Sequence, residues 1–549
     1  MRFGKRCLHG VLAFFCWTLL GWGAEAPGSV GRTFSEIRVE GDVEAVKGLP
    51  FWRSWSTEWA GRPMSSTELE EARRELLSAL QGAGYLFAQV EFVDLSPGDG
   101  VLAVRVDCGV FGEFSVRRHG RHYTARQIIA RLSGRGQTFN YVEFCRRLAS
   151  ANSGDLKIDV TLKPTRRERG VVVDVELDYE DSLPLHGALS LTNAAASEAK
   201  SPLQLRAGVQ MLNLLRRDDV LSLYYVTNGD VGGEVNAGYG SFHLPLGDCW
   251  AFTAFGSWSD SAYGDVLPDL DVLGRGYSYG VQLEREIWQD GRRRLAMALG
   301  WRLASMRNRL RLYSEMLDTD SARVSMPYLN LSYGDLRLDA WNGRDFASVG
   351  VCGNQAGRFG ASETRAFRAE GRGADGTFWQ TRLTAARLQR LFAGEECPGK
   401  WTLFVRLQAL YSSEASPNAC REFLGGWETV RGYREAEASG DTVLNGSLEL
   451  RTPLLENHPD EAASAEGTGR FQLHGVLFAD FGWLTNHEDN VPENGRRRHQ
   501  ELVSIGAGLR LGWGKSLQFV LDYALPLNRH ATPDTPSDGR WHFSWQIQF

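Results

Sequence analysis

The sequence predicts a mostly β protein. Residues 184–549 form an antiparallel transmembrane β-barrel of about sixteen strands, preceded by two small α+β modules over 34–108 and 109–180. Three observations carry this. The last nine residues alternate, with Trp541, Phe543, Trp545, Ile547 and Phe549 on one face and His542, Ser544, Gln546 and Gln548 on the other. A chain that stops on an exposed aromatic strand suits a barrel in lipid, where closure pairs the edge and aromatics sit at the interface. The same alternation recurs from Leu185 onward. An export signal, finally, precedes a chain with no later apolar run long enough for a membrane helix.

That signal is read from Arg2, Lys5 and Arg6, the apolar run Val11 to Leu20, and the small residues around Ala24-Glu25-Ala26, so 1–26 is expected to be removed. The formal charge is −6, and −8 once Arg2, Lys5, Arg6 and Glu25 are gone, a mild acidity that argues against nucleic acid as a partner. With 549 residues, several folding units are expected. Abundant Gly and 17 Trp suit many short strands joined by polar turns. Cys7 and Cys16 leave with the signal. The other six, Cys108, Cys145, Cys249, Cys352, Cys397 and Cys420, have no metal-ligand spacing. Cys397 and Cys420 flank one expected strand, on opposite sides of a bilayer roughly 30 Å thick, and are expected not to bond.

The first module reads as β-α-β-β. Ile37 to Val39 is a strand, Ser65 and Glu68 form a capping box, and Leu69, Ala72, Leu76, Leu80 and Ala83 make a helix stripe that stops at Gly84. Strands Leu86 to Phe92 and Val101 to Val106 follow. The second module repeats the plan: strand Phe114 to Arg117, helices Thr124 to Leu132 and Tyr141 to Ala151, then strands Leu156 to Leu162 and Val171 to Leu177 around a basic turn Arg166-Arg167-Glu168-Arg169. From Leu185 no helix is expected. Trp401, Leu403, Val405, Leu407, Ala409 and Tyr411 face away from Thr402, Arg406 and Gln408, and Leu444, Leu448 and Leu450 away from Asn445, Ser447, Glu449 and Arg451. In a membrane barrel the polar faces line the lumen.

Between Tyr411 and Val443 lies a long connection containing Leu424-Gly425-Gly426-Trp427-Glu428-Thr429-Val430-Arg431-Gly432-Tyr433. Loops of that length without secondary structure are usually functional or disordered, and the Gly and aromatic content suggests a packed one. If it folds into the bore, Arg431 needs a carboxylate, because an unpaired buried charge is costly. In the strand Phe471 to Phe481 the odd positions face lipid, so Phe478 and Asp480 face the lumen, and Gly482 leaves room for close approach. Asp480 is thus the expected partner, in a geometry a guanidinium can grip with both arms.

Val430-Arg431-Gly432-Tyr433 resembles the inward-folding loop motif of the outer-membrane POTRA-barrel superfamily, and Phe478, Asp480 and Gly482 resemble its F-x-D-x-G strand motif. Two modules before a barrel, the stretch Leu521 to Leu527 and the aromatic last strand are similar to the TpsB transporters of two-partner secretion, of hemolysin-activator type. The resemblance implies an outer-membrane protein with periplasmic POTRA modules that receive an unfolded client, a barrel in contact with lipid that exports it, and a loop over 412–442 resting in the pore. A barrel-assembly factor and a passive porin are the alternatives. Three departures stand out: about ten residues between the signal and the first strand leave no plug helix, Arg216 and Asp218 stand where glycines are common in the family, and the modules are only weakly similar.

No chemistry is expected. Gly394, Gly399 and Lys400 mimic a nucleotide-binding spacing, but Trp401 replaces the hydroxyl residue. His119 and His122 lack a Glu pattern for metal, and no nucleophile arrangement stands out, so no catalytic residue, cofactor, metal or nucleotide is assigned.

Overall fold

The computed structural model describes residues 32–549 apart from 51, 95–99, 133–135, 153–154, 168–169, 194–202, 229–234, 248, 268–269, 290–291, 313–314, 319–321, 370–373, 393–400, 418–419, 458–470, 488–497, 515 and 529–537. The signal at 1–26, Cys397, the Gly394/Gly399/Lys400 spacing, Glu168 and Arg169 lie outside the described residues. The chain divides into two units, Met1–Pro184 and Leu185–Phe549.

The first unit holds two three-stranded sheets and one two-stranded ladder. β1 (Arg32–Thr33) pairs with β3 (Pro63–Met64) beside β2 (Glu36–Gly41), α1 (Val43–Lys47), α2 (Trp52–Trp59), α3 (Ser66–Gly82), β4 (Gln89–Asp94) and β5 (Val101–Asp107). The sheet order is β2-β5-β4, with β2 parallel and β4 antiparallel to β5. α3 starts at the Ser65 and Glu68 box, where Glu68 N donates to Ser65 Oγ and Ser65 N returns a bond to Glu68 Oε2 at 2.8 Å. This reciprocal capping holds the Glu68 carboxyl below its usual range. Ala72, Leu76 and Leu80 of α3 are buried against the sheet.

Two helices were not expected. α1 has five residues, too few to show a period, while α2 carries an apolar stripe on Trp52, Trp55 and Trp59 among Ser, Thr and Arg that sequence reasoning passed over. β4 begins at Gln89 rather than Leu86, because Tyr85 N donates to Leu80 O and Ala88 N to Tyr85 O in a turn that holds Gly84 at φ +100°.

The second sheet has the order β6-β8-β7, from β6 (Val110–Arg118), β7 (Leu156–Arg167) and β8 (Gly170–Asp181), with α4 (Ala125–Leu132) and α5 (Tyr141–Ala151) packed on it. Phe111, Phe139 and Phe144 cluster at its core. Arg166 and Arg167 pair with Val171 and Gly170, so they end β7 rather than form a turn. The two sheets meet at Asp42, whose carboxylate accepts from Cys108 N at 2.7 Å and Thr138 Oγ1 at 3.3 Å. Burial, with Asp42 and Asp107 adding to it, pushes the Cys108 thiol up to about 12.

The second unit is one closed antiparallel barrel. Its sixteen wall strands are β9 (Leu185–Thr192), β10 (Gln204–Leu212), β11 (Val220–Thr227), β12 (Val235–Pro245), β13 (Trp250–Leu267), β14 (Leu270–Gln289), β15 (Arg293–Leu312), β17 (Arg323–Asp335), β18 (Gly343–Asn354), β19 (Phe378–Arg390), β20 (Thr402–Ser412), β23 (Thr442–Glu456), β24 (Phe471–Thr485), β25 (His499–Trp513), β26 (Leu517–Pro526) and β27 (Arg540–Gln548). The short β16 (Glu315–Asp318) folds back on the end of β15, while β21 (Glu422–Leu424) and β22 (Ala438–Gly440) pair inside the long connection. One helix, α6 (Thr364–Ala369), lies between β18 and β19, where none was expected; six residues give too short a stripe to read.

Inward and outward faces alternate on the strands around the closure. On β24, Leu477 and Phe481 are exposed outside while Phe478 and Asp480 are buried inside. On β27, Trp541 and Trp545 are exposed and His542 is buried, and Phe549, just past the strand, is exposed as well. β27 closes on β9 from Ser544–Thr192 to Gln548–Ala188. Beyond that ladder Gly187 and Phe549 exchange backbone bonds at 2.7 and 2.9 Å, and Asn193 lends its amide to Phe543 N and Trp541 O.

The β10–β11 turn explains one sequence departure. Asn213, Arg216 and Asp218 have φ of 60°, 57° and 61°, the left-handed region where glycine is the easy residue. Buried Asp219 holds the turn by accepting from Leu215 N at 2.8 Å and Arg217 N at 3.3 Å, and Asn213 Oδ1 accepts from Asp218 N.

Candidate functional site: the loop inside the barrel

The connection from β20 to β23 has secondary structure of its own, contrary to the expectation of a structureless loop: β21 and β22 form a three-residue ladder, Glu422–Gly440 to Leu424–Ala438. Gly425 and Gly426, at φ 102° and 95°, then turn the chain into a compact tip. The tip is tied to itself by Gly426 N to Val430 O, Trp427 N to Glu435 Oε1 and Thr429 Oγ1 to Gly425 O. Leu424, Val430, Tyr433 and Ala438 bury themselves against the inward residues Leu410, Val443, Leu484 and Leu502 of the wall.

Arg431 is at the centre. Its side chain is 7% exposed, against 1% for Asp480. Nε donates to Asp480 Oδ2 at 2.7 Å and Nη2 to Oδ1 at 2.8 Å, a two-armed grip. Nη1 donates to Glu449 Oε1 at 2.8 Å and to Asp522 Oδ2 at 3.0 Å, and Nη2 also reaches Ser447 Oγ. The guanidinium carbon lies 3.5 Å from the centre of the Phe478 ring, so the planar cation stacks on that face. Arg451 pairs with Glu449, and Arg510 with Asp522, so three guanidinium groups meet three carboxylates. The cluster is neutral, which is what makes its burial tolerable.

The neighbouring motif residues set the approach. Gly432 has φ 92°, and a Cβ there would lie 3.1 Å from Ala524 O. Its N–H donates to His542 Nε2 at 3.0 Å, which fixes that imidazole as an acceptor on this nitrogen. Tyr433 Oη accepts from Val503 N at 3.1 Å and lies 2.9 Å from Val503 O and 3.1 Å from Asn528 O, to which it can donate. A Cβ on Gly482 would come within 2.8 Å of Val430 Cγ2 and 2.9 Å of Leu424 Cδ1. The structure therefore gathers Val430, Arg431, Gly432, Tyr433, Phe478, Asp480 and Gly482 into one site. Trp541, Phe543, Trp545 and Ile547 stand apart from it on the alternate face of β27, and Phe549 follows the strand's end.

Sequence reasoning missed Ser447, Glu449, Asp522 and His542 as members of this site. Each carried a signal, a polar residue on a lumen face, but alternation does not say at what height along the bore a residue stands.

Among the described residues, Asp335, Asp339 and Asp345 are spaced closely enough to hold a cation. Their oxygens are engaged internally. Arg387 bonds Asp345 at 2.7 Å and Asp339 at 2.8 Å, Asp339 accepts from Trp341 N and Gly343 N, and Tyr333 Oη donates to Asp335. The group clasps the turn between β17 and β18.

The barrel and modules have known counterparts. The structure is similar to CdiB from Escherichia coli, with 17% identity and a TM-score of 0.73 over 97% of this chain and 93% of that one. It is similar to CdiB from Acinetobacter baumannii, with 15% identity and a TM-score of 0.66 over 97% and 92%. BamA from Haemophilus ducreyi lacking POTRA domains 1–3 shares 13% identity and a TM-score of 0.52 over 94% and 100%. At these identities the likeness is one of fold. No curated protein matches the chain in sequence. Residues 172–511 match the family of haemolysin secretion/activation proteins ShlB/FhaC/HecB. The matched stretch runs from the last strand of the second module through most of the barrel, including the Arg431 loop and the Asp480 strand. The chain belongs to that family and is a two-partner secretion transporter of the outer membrane.

Proposed function

We propose that the transporter captures its unfolded partner protein as an added strand on the module sheets and passes it through the barrel once the Arg431 loop has yielded. The observation that carries the reading is the Arg431 cluster. A loop held inside a closed bore by a neutral, fully paired set of charges is stable at rest. It can also be displaced without leaving its own segments unfolded, because the tip is bonded to itself. A diffusion channel needs no such device.

Capture falls to the sheet edges. β2 and β4 flank one sheet and β6 and β7 the other. β7 is the longest of these and alternates buried with exposed positions over its first half. An extended client could pair with its backbone irrespective of side chains, which gives the sequence tolerance that an exported protein requires. The outward apolar face of the barrel, with Trp541, Trp545 and Phe549 exposed, is the surface we assign to lipid. Nothing in this route uses nucleotide; client folding outside supplies the drive.

The test is a proline scan along β7 from Lys157 to Lys163 with photo-crosslinking to the client. Alternate residues turn their N–H groups away from β8. Proline at those positions should abolish crosslinks and export with the fold intact. Equal tolerance at every position would overturn capture by strand addition.

A further inference from the structure

We propose that the loop is jointed. Its stem, residues 412–417, 420–424 and 438–441, stays fixed to the wall with Arg421 and Asp441 as positioning residues, and only the tip around Arg431 leaves when the pore opens. This rests on the reading of Arg431 as the latch of the bore.

The stem has a buried ion pair of its own. The Arg421 and Asp441 side chains are 4% and 0% exposed, with Nε 3.8 Å from Oδ1. Arg421 Nη2 donates to Ser439 O at 2.8 Å and to the Asn486 side-chain oxygen. Asp441 accepts from Ser416 N at 2.9 Å and from His487 N at 3.0 Å. One carboxylate thus ties both sides of the stem to the connection after β24.

Further grips come from the wall strand next to β20. Gln380 of β19 donates to Ser416 Oγ at 3.1 Å and to Cys420 O at 2.9 Å. Ser412 and Ser416 share a hydroxyl bond at 2.8 Å. Cys420 is buried with Met326, Phe367 and Phe378, its sulfur 3.8 Å from Met326 Sδ. The stem's polar grips therefore come from β19 and residues 486–487, whereas the charges on Arg431 are met by β23, β24 and β26; the two parts share the apolar cluster around Leu484 and the wall strand β20, whose Arg406 donates to Glu428 O of the tip.

The junction between the two parts has joints in the right places. Gly425 and Gly426 stand on one side and Ala436, at φ 54°, on the other. Taking the entire loop out would strip two buried charge clusters of their partners together, and each is costly to strip. Swinging the tip alone strips one.

Cys420 supplies a native reporter. The full-length transporter in outer-membrane vesicles would be treated with a maleimide and its labelling resolved peptide by peptide, with exposed Cys249 as internal reference. Asp480→Ala should open the channel and expose a cysteine introduced by Thr429→Cys, while Cys420 labelling stays within about twofold of the unaltered chain. Asp441→Asn should raise Cys420 labelling about tenfold. Arg421→Lys keeps the charge, loses the fork and should give a smaller rise; it also serves if Asp441→Asn fails to assemble, as judged by heat-modifiable mobility. Cys420 exposed as fully in Asp480→Ala as in Asp441→Asn would mean a loop that moves in one piece. Cys420 still protected in Asp441→Asn and Arg421→Lys would remove the anchor. If Asp480→Ala neither opens the channel nor exposes the Thr429→Cys site, the Arg431 latch fails and the joint with it, while the Asp441→Asn result still decides whether the anchor exists.

Discussion

Arg431 and Asp480, 49 residues apart in sequence, meet through two near-parallel bonds of 2.7 and 2.8 Å. This fork carries directional information that a single contact would not: it fixes the plane of the guanidinium, which then lies flat on Phe478. Asp480→Arg should abolish export and destabilise loop docking by about 3–5 kcal/mol, the cost of breaking one partner of a buried pair. Adding Arg431→Asp should restore only part of it, because the new carboxylate would face Glu449 and Asp522. Client secretion and channel conductance in single and double variants measure the coupling, and additive losses would count against the pair.

Tyr433→Phe removes the acceptor for Val503 N without changing the packing of the ring. An unsatisfied buried amide costs about 1–3 kcal/mol. The variant should assemble normally and show more frequent spontaneous openings in planar-bilayer recordings.

Arg216→Gly and Asp218→Gly should each stabilise the barrel by up to about 1 kcal/mol, the left-handed strain relieved less the added freedom of the unfolded chain. Asp219→Ala should act in the opposite sense, since Leu215 N and Arg217 N lose their acceptor. The midpoint of the heat-induced shift in gel mobility reads both.

Asp181 predicts a pH response in the second module. Burial tends to raise its carboxyl, but the backbone N–H groups of Tyr123, Arg121 and His122 outweigh burial and hold it below its ordinary value of 3.8. A depressed folded-state value means that the stabilisation is present above the ordinary value and is lost as pH falls through the folded one. Amide exchange at residues 121–123, referred to intrinsic rates, should show protection that is kept at neutral pH and fades below about pH 4. In Asp181→Asn it should be weak throughout.

How much of this was legible in the sequence depended on the length scale of the signal. Strand alternation has a period of two and shows in a few residues, so the wall strands and their inward faces could be read from Leu185 onward. A helix of five or six residues shows no reliable stripe, which is why Val43–Lys47 and Thr364–Ala369 escaped; Trp52–Trp59 does carry one, on Trp52, Trp55 and Trp59, and was passed over. In the site, Asp480 was legible as a partner for Arg431 because one residue demanded a counter-charge and a nearby strand offered one. Glu449, Asp522 and His542 were not. Their convergence depends on the stagger between β23, β24, β26 and β27, and that stagger is a property of the closed cylinder, not of any strand alone.

The short ladder between β27 and β9 has a mechanical consequence. It is where the two ends of the wound sheet are sutured, and it spans only Ser544–Thr192 to Gln548–Ala188 before side chains and the last residue take over. His542 sits on this final strand and holds Gly432. The plug is therefore also a splint for the suture, and a barrel whose loop has swung aside should tolerate less lateral load along that line than one at rest.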